Sequence, residues 1–262
     1  MESGFDSNGT FFLINKKKDI PIVFIHGVGL NHSIWDNQIR EFENTVLVYD
    51  ILGHGKTPLN LNTISFDDFT NQLINLLNHL EIDKIHLVGF SIGSLIARNF
   101  ATKYCEKLKS LTLFGSIFNR SNEQQKLVND RFKNMKKEKK IPHSSLTRWL
   151  SDDFLEKHIS EKNKIIKILD ENDVENFLKV YELFVTHKDE EVFEKINIKT
   201  LVITGENDDG STPEMSNNLS KVINNSYVKI IPKGKHLCGI EYSYDVNTVS
   251  YTHLTLPTTP YV

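Results

Sequence analysis

Lys84-Ile85-His86-Leu87-Val88-Gly89-Phe90-Ser91-Ile92-Gly93-Ser94-Leu95-Ile96-Ala97 is the stretch whose reading decides the fold. Ile85 to Val88 is a short apolar run of the kind that forms a buried strand. Beyond it, Leu95, Ile96 and Phe100 fall on one face of a helical pattern. Between strand and helix sits Gly89-x-Ser91-x-Gly93, the spacing of a nucleophile elbow. The glycines remove Cβ atoms that would clash in so tight a turn. The turn lifts the Ser91 hydroxyl clear of the backbone, and the helix start offers free N–H groups to a developing anion. Five residues alone are weak evidence; the strand before and the helix after give them weight.

Working outward, the same alternation recurs. Pro21 to Ile25 and Thr45 to Tyr49 read as apolar strands, the first ending in His26-Gly27-Val28-Gly29 and the second in Asp50. Phe11 to Ile14 reads as an edge strand, and a helix is expected across Ile34 to Phe42. Ser65 and Asp68 have the spacing of a capping box, ahead of Phe66, Phe69, Leu73, Leu76, Leu77 and Leu80 at helical spacing. A strand is expected at Leu111 to Phe114. Strands buried on both faces and separated by helices predict an α/β fold, a mostly parallel sheet with helices on both sides. From Arg120 to about Glu194 no strand is apparent, only polar helical segments, one of them starting at Asp173. The expected organisation is a core of residues 1–118 and 195–249 with a helical cap over 119–194. Sheet texture returns at Thr200 to Thr204, then a helix from Pro213 to Ile223 and a strand from Tyr227 to Ile231.

Composition narrows the function. The 262 residues are 39% hydrophobic and 25% charged, with formal net charge −3. That balance gives no electrostatic reason to bind nucleic acid or an acidic membrane. No run approaches the roughly 20 apolar residues of a membrane span, and Met1 to Thr10 is too polar for a signal peptide. The two cysteines, Cys105 and Cys238, do not suggest a disulfide framework, so a cytoplasmic location is expected. No histidine pair has metal-ligand spacing, and neither a metal nor a cofactor is expected.

A serine hydroxyl is a poor nucleophile and needs a base, with an acid to orient that base. The candidates, in chain order, are Ser91, Asp208 and His236, the latter two just past later apolar runs. That is the order of the α/β-hydrolase arrangement, and the carboxyl ends of parallel strands are where open α/β sheets place their sites. Gly27-Val28-Gly29, with Asp50 some 20 residues on, partly mimics a dinucleotide-binding fingerprint. That reading fails because His32 stands where the third glycine should be, and because it leaves Ser91, Asp208 and His236 without a role.

Taken together, His26-Gly27-Val28-Gly29, Asp50-x-x-Gly53-His54-Gly55, Gly89-x-Ser91-x-Gly93, Gly205-x-x-Asp208 and Gly234-x-His236 resemble an α/β-hydrolase-fold serine hydrolase over nearly the whole chain. The resemblance implies that backbone N–H groups of Val28 and Ile92 form the oxyanion hole. It favours Asp208 over Asp209, since Asp208 keeps the Gly-x-x-Asp interval. It makes His26 and His54 braces of the oxyanion loop, while His86 reads as a packed core residue and Cys238 as a small buried hydrophobe. Arg148-Trp149, the helix around Tyr181 to Phe184, and the segments near Gly205 and Gly210 are similar to 3-oxoadipate enol-lactonases. On that resemblance Arg148 or Arg120 would hold a substrate carboxylate and Trp149 would wall the pocket. The lysine-rich stretch Arg131 to Lys140 is expected to be a solvated face of a cap helix.

The expected function is hydrolysis of a small carboxylic ester or lactone through an acyl-enzyme. The alternatives are C–C bond hydrolysis of a ring-cleavage product and a non-turnover ligand receptor on the same scaffold. One stretch disagrees with the family pattern: residues 250–262, rich in Thr and Pro, do not continue the expected final helix. They resemble translated adapter sequence and are set outside the fold, as a non-native tail.

Overall fold

The computed structural model describes residues 1–17 and 19–255. Eight strands form one sheet. In chain order they are β1 (Glu2–Phe5), β2 (Phe11–Asn15), β3 (Ile22–Ile25), β4 (Val46–Tyr49), β5 (Ile85–Phe90), β6 (Leu108–Phe114), β7 (Thr200–Gly205) and β8 (Ser226–Ile231). They lie side by side as β1-β2-β4-β3-β5-β6-β7-β8. The β1–β2 and β2–β4 pairs are antiparallel and every other pair is parallel.

The sheet is buried on both faces, which is why its central strands are apolar throughout. Along β3, Val23 and Ile25 face one hydrophobic cluster while Ile22 and Phe24 face another. The first cluster is closed by α2 (Phe66–His79), α3 (Ile92–Lys103) and α9 (Pro213–Val222), through residues such as Leu73, Phe100 and Leu219. Trp35, just before α1 (Asp36–Glu41), packs in the second with its ring 4.8 Å from that of Phe24. The Ser65–Asp68 capping box opens α2.

Between β6 and β7 the chain leaves the sheet and forms only helices: α4 (Asn122–Glu138), α5 (Ser145–Trp149), α6 (Asp152–Lys157), α7 (Ile159–Asp170) and α8 (Val174–Thr186). Val128, Leu146, Leu169 and Phe177 bury against the second cluster. This helical layer is also tied to the core by polar contacts. Asn172 donates to the Gly29 carbonyl at 2.9 Å, and Lys164 reaches the Ser33 carbonyl at 2.6 Å and Asp36 at 2.7 Å.

After β8 come α10 (Cys238–Glu241) and α11 (Ser243–Thr255). The expectation that no helix continues past Val249 is corrected here. Ser250 and His253 are buried, and His253 Nε2 donates to the Leu111 carbonyl at 3.2 Å. The helix thus continues to Thr255 and packs through Ser250 and His253, while 256–262 of the expected tail lie outside the described residues. The strand pair opening the chain at Glu2–Phe5 carries no apolar alternation and was not expected. No helix among the described residues is long and apolar enough to cross a membrane.

Candidate active site

Ser91 links β5 to α3 with φ 56° and ψ −120°, a left-handed conformation that side chains rarely adopt. The turn is crowded. A Cβ on Gly89 would lie 2.1 Å from the Gly93 carbonyl oxygen, and one on Gly93 would lie 2.5 Å from that of Ile25. Only glycine fits either position, the physical content of the Gly-x-Ser-x-Gly spacing. The elbow is pinned by the Ser91 amide, which donates to Phe114 at 2.9 Å, and by Ser94, whose hydroxyl donates to the Ser91 carbonyl at 2.6 Å.

Two later strand ends bring the other groups. Past β7, Asp208 is buried, and its Oδ1 accepts from the Gly210 and Ser211 amides, both at 2.9 Å. Its Oδ2 meets His236 Nδ1 at 2.6 Å. Asp209 is exposed and makes no such bond, so the acid beside the imidazole is Asp208. With the proton on Nδ1 held by Asp208, the lone pair of His236 is on Nε2. The ring lies 4.9 Å from that of Phe90, next to Ser91 in sequence. Ser91, Asp208 and His236 all line one cavity of about 110 Å³, together with Val28 and Gly27. Ile92 is the first residue of α3, where an amide has no intrahelical acceptor.

The loop before that cavity is braced by two buried histidines. His26 Nδ1 bonds the Gly27 carbonyl at 2.8 Å while Nε2 accepts from Ile51 at 3.1 Å. His54 Nε2 accepts from the Gly29 amide at 2.8 Å. Burial pushes His26 down to about 4 and His54 down to about 3, so both are neutral near pH 7. Asp50 sits beneath them. Burial opposes its charge, but a hydrogen bond from His32 and the Lys56 amide hold its carboxyl below the usual range. Neither His26 nor His54 lines the cavity; His86 is half-buried on Ser110 at 2.8 Å, and Cys238 is buried.

The cavity's other wall comes from the helices between β6 and β7. Arg120, Arg148 and Trp149 all line it, as does Arg131 on α4. Arg131 corrects an expectation: it does not belong to a purely solvated face. Gln124, Leu127, Val128 and Arg131 are spaced three, one and three apart, one side of a helix, and all four line the cavity. That periodicity was readable but was masked by the lysines that follow. Arg120 Nη1 donates to the Phe184 carbonyl at 3.0 Å, and its Nη2 is buried with no partner among the described residues. Burial lowers Arg120 to about 10; burial and then Arg131 lower Arg148. Three cationic side chains therefore look onto one enclosed space, opposed there by Asp208 and Asp209.

This sheet order, elbow and helical layer define an α/β-hydrolase-fold protein. Residues 20–128 match the family described as alpha/beta hydrolase fold. Among curated proteins, the (E)-2-((N-methylformamido)methylene)succinate hydrolase of Acinetobacter baylyi is 25% identical over 92% of this chain and 92% of its own length. The 3-oxoadipate enol-lactonase 2 of the same organism is 23% identical over 84% of this chain and 83% of its own. The enol-lactonase structure from Burkholderia xenovorans LB400 superposes with a TM-score of 0.84 at 19% identity, covering 97% of this chain and 100% of that one. The chain is thus an α/β hydrolase by fold that resembles enol-lactonases.

Proposed function

We propose that the protein is a serine hydrolase that opens a small carboxylic ester or lactone bearing a free carboxylate. The observation that carries this reading is the 2.6 Å bond between Asp208 and His236 at the rim of the cavity that also holds the strained Ser91. His236 removes the Ser91 proton through Nε2 as Oγ attacks the carbonyl carbon. Asp208 keeps the ring in that tautomer and stabilises its cation. The Val28 and Ile92 amides receive the oxyanion, helped by the positive end of α3. His236 returns the proton to the leaving oxygen, then activates water to release the acid.

The substrate class rests on the cavity wall. Arg120 has an unpartnered buried guanidinium nitrogen, and Arg131 and Arg148 stand with it. A buried donor without an acceptor is costly, and a carboxylate in the cavity would supply one as a charge-assisted pair. The cavity suits a short molecule rather than a long acyl chain. The names of two relatives, built on oxoadipate and succinate, agree with an acidic substrate.

The test is a panel of small lactones, short-chain esters and ring-cleavage products, each with and without a free carboxylate, against wild type and Ser91→Ala. Turnover of an acidic ester or lactone, abolished in folded Ser91→Ala and in Asp208→Asn but kept in Asp209→Asn, is the expected outcome. Turnover confined to a ring-cleavage product would move the protein to C–C bond hydrolysis. Saturable binding with at most one turnover would make it a receptor, and activity surviving Ser91→Ala would overturn the mechanism.

A further inference from the structure

Away from that cavity, the chain returning from α8 to the sheet reads His187-Lys188-Asp189-Glu190-Glu191. His187 ends the helix in an extended conformation, φ −56° and ψ 135°. Beyond it the chain turns tightly, the Glu190 amide donating to the Lys188 carbonyl at 2.9 Å, and His187, Asp189 and Glu191 converge. One donor atom from each lies within 4.8 Å of the others. His187 Nε2 is 3.4 Å from Asp189 Oδ1 and 3.6 Å from Glu191 Oε1. None of the three lines the Ser91 cavity.

The imidazole carries the argument. Its side chain is only 7% exposed, and Nε2 has no hydrogen-bond partner among the described residues although it points at two carboxylate oxygens. In the tautomer with its proton on Nδ1, the Nε2 lone pair faces two anions, and the distances are long for strong hydrogen bonds in the other. They match something else. Tetrahedral ligands about 2.0–2.2 Å from a zinc ion lie roughly 3.3–3.6 Å from one another.

The surroundings also fit a cation. Arg98, fully buried on α3, donates from Nη2 to Asp189 Oδ1 and to Glu191 Oε2, both at 2.7 Å. It leaves Glu191 Oε1 on the imidazole side. Asp189 Oδ2 is taken by the Asn119 amide at 2.8 Å. Two carboxylates against one guanidinium leave a net charge of −1. Outer hydrogen bonds of this kind fix the aim of metal-binding carboxylates. His187 and Glu191 line an open surface groove, which gives an ion a way in.

We propose that His187, Asp189 and Glu191 form a site for a transition-metal dication of the zinc class at the base of the helical layer. It is independent of the hydrolase reading. The ligands come from a non-helical His-x-Asp-x-Glu run, which a search for histidine pairs overlooks. Because Arg98 also donates to the Ile117 carbonyl at 2.9 Å, a bound ion would clamp the returning chain to the residues where the chain leaves the sheet.

The test titrates the full chain, stripped with a chelator and dialysed, with zinc chloride in a calorimeter at pH 7.5. One zinc per chain at micromolar affinity or tighter is expected, with at least a tenfold loss in His187→Ala and in Glu191→Gln. Circular dichroism establishes that each variant is folded, and His187→Gln replaces His187→Ala should the smaller side chain unfold the protein. Cobalt(II) in place of zinc should give a tetrahedral visible spectrum that the variants lack, without a thiolate charge-transfer band. No saturable binding by wild type, or zinc binding undiminished in either folded variant, overturns the site.

Discussion

At the scale of one residue, Ser91 shows what the elbow requires. Its backbone lies at φ 56°, ψ −120° while carrying a Cβ, and such conformations cost about 1–3 kcal/mol. Glycine would relieve that strain but would lose about 0.4–1 kcal/mol through the freer unfolded chain. Ser91→Gly is therefore expected to gain about 1 kcal/mol of stability while losing all turnover, whereas Ser91→Ala keeps the Cβ and should gain little. Urea unfolding of the three proteins checks this. A glycine variant no more stable than the alanine one would mean that the turn stores no strain. The site keeps a destabilised backbone because a hydroxyl cannot otherwise stand clear of both strand and helix.

At the scale of elements, the three cavity arginines come from separate segments: Arg120 before α4, Arg131 within it, and Arg148 in α5. If they hold a substrate carboxylate, Arg120→Met and Arg148→Met should each raise KM for an acidic substrate about 10–100-fold, the worth of roughly 1.5–3 kcal/mol for a charged hydrogen bond. The kcat should change far less, and neutral esters should be unaffected. Equal losses on neutral and acidic substrates would assign these arginines to packing instead. Elements also explain what the sequence disclosed. Central strands are read easily because both faces are buried, so β3, β4 and β7 fall within a residue of expectation and β5 runs two residues past it. Ser91 and Asp208 were legible because each follows such a strand; His236 follows β8, a half-buried edge strand, and was legible from the apolar run and Gly234-x-His236 spacing. The wall opposite was harder: Trp149 and Arg148 entered through a family resemblance, and Arg131 was hidden in a cationic run. The initial β1–β2 ribbon has no buried face at Glu2 or Ser3 to leave a pattern. Asp208 was separable from Asp209 only by interval, since burial and the bond to His236 are tertiary facts.

At the scale of the whole molecule, α11 packs on the second cluster through Val246 and Val249 and adds polar contacts to the core. Asn247 accepts from Gln38 at 2.8 Å, and His253 is set against Leu111 and the Tyr227 ring. Burial, then the Lys199 charge, pushes His253 down to about 3. With His26 and His54, whose own rings lie 5.6 Å apart, it is one of three buried rings kept neutral; His253 sits on α11 apart from that pair, so its effect on acid stability should add to theirs. Well above pH 6.5 all three are neutral whether the chain is folded or not. Below it the unfolded chain takes up protons that the folded one refuses until about pH 4 or lower, so stability falls with pH. Each ring costs about 1 kcal/mol between pH 6.5 and 5.5, the slope approaching about 1.4 kcal/mol per pH unit only further below, so the three together lose about 3 kcal/mol over that interval. Against a total of about 5–15 kcal/mol, that is enough to bring the protein near unfolding before its carboxylates are protonated. Urea midpoints at pH 7.5, 6.5 and 5.5 measure it, with a slope that should shrink by about a third in His253→Gln. A flat profile across that interval would show that these rings accept protons in place, and that the packing around them yields where these contacts say it should not.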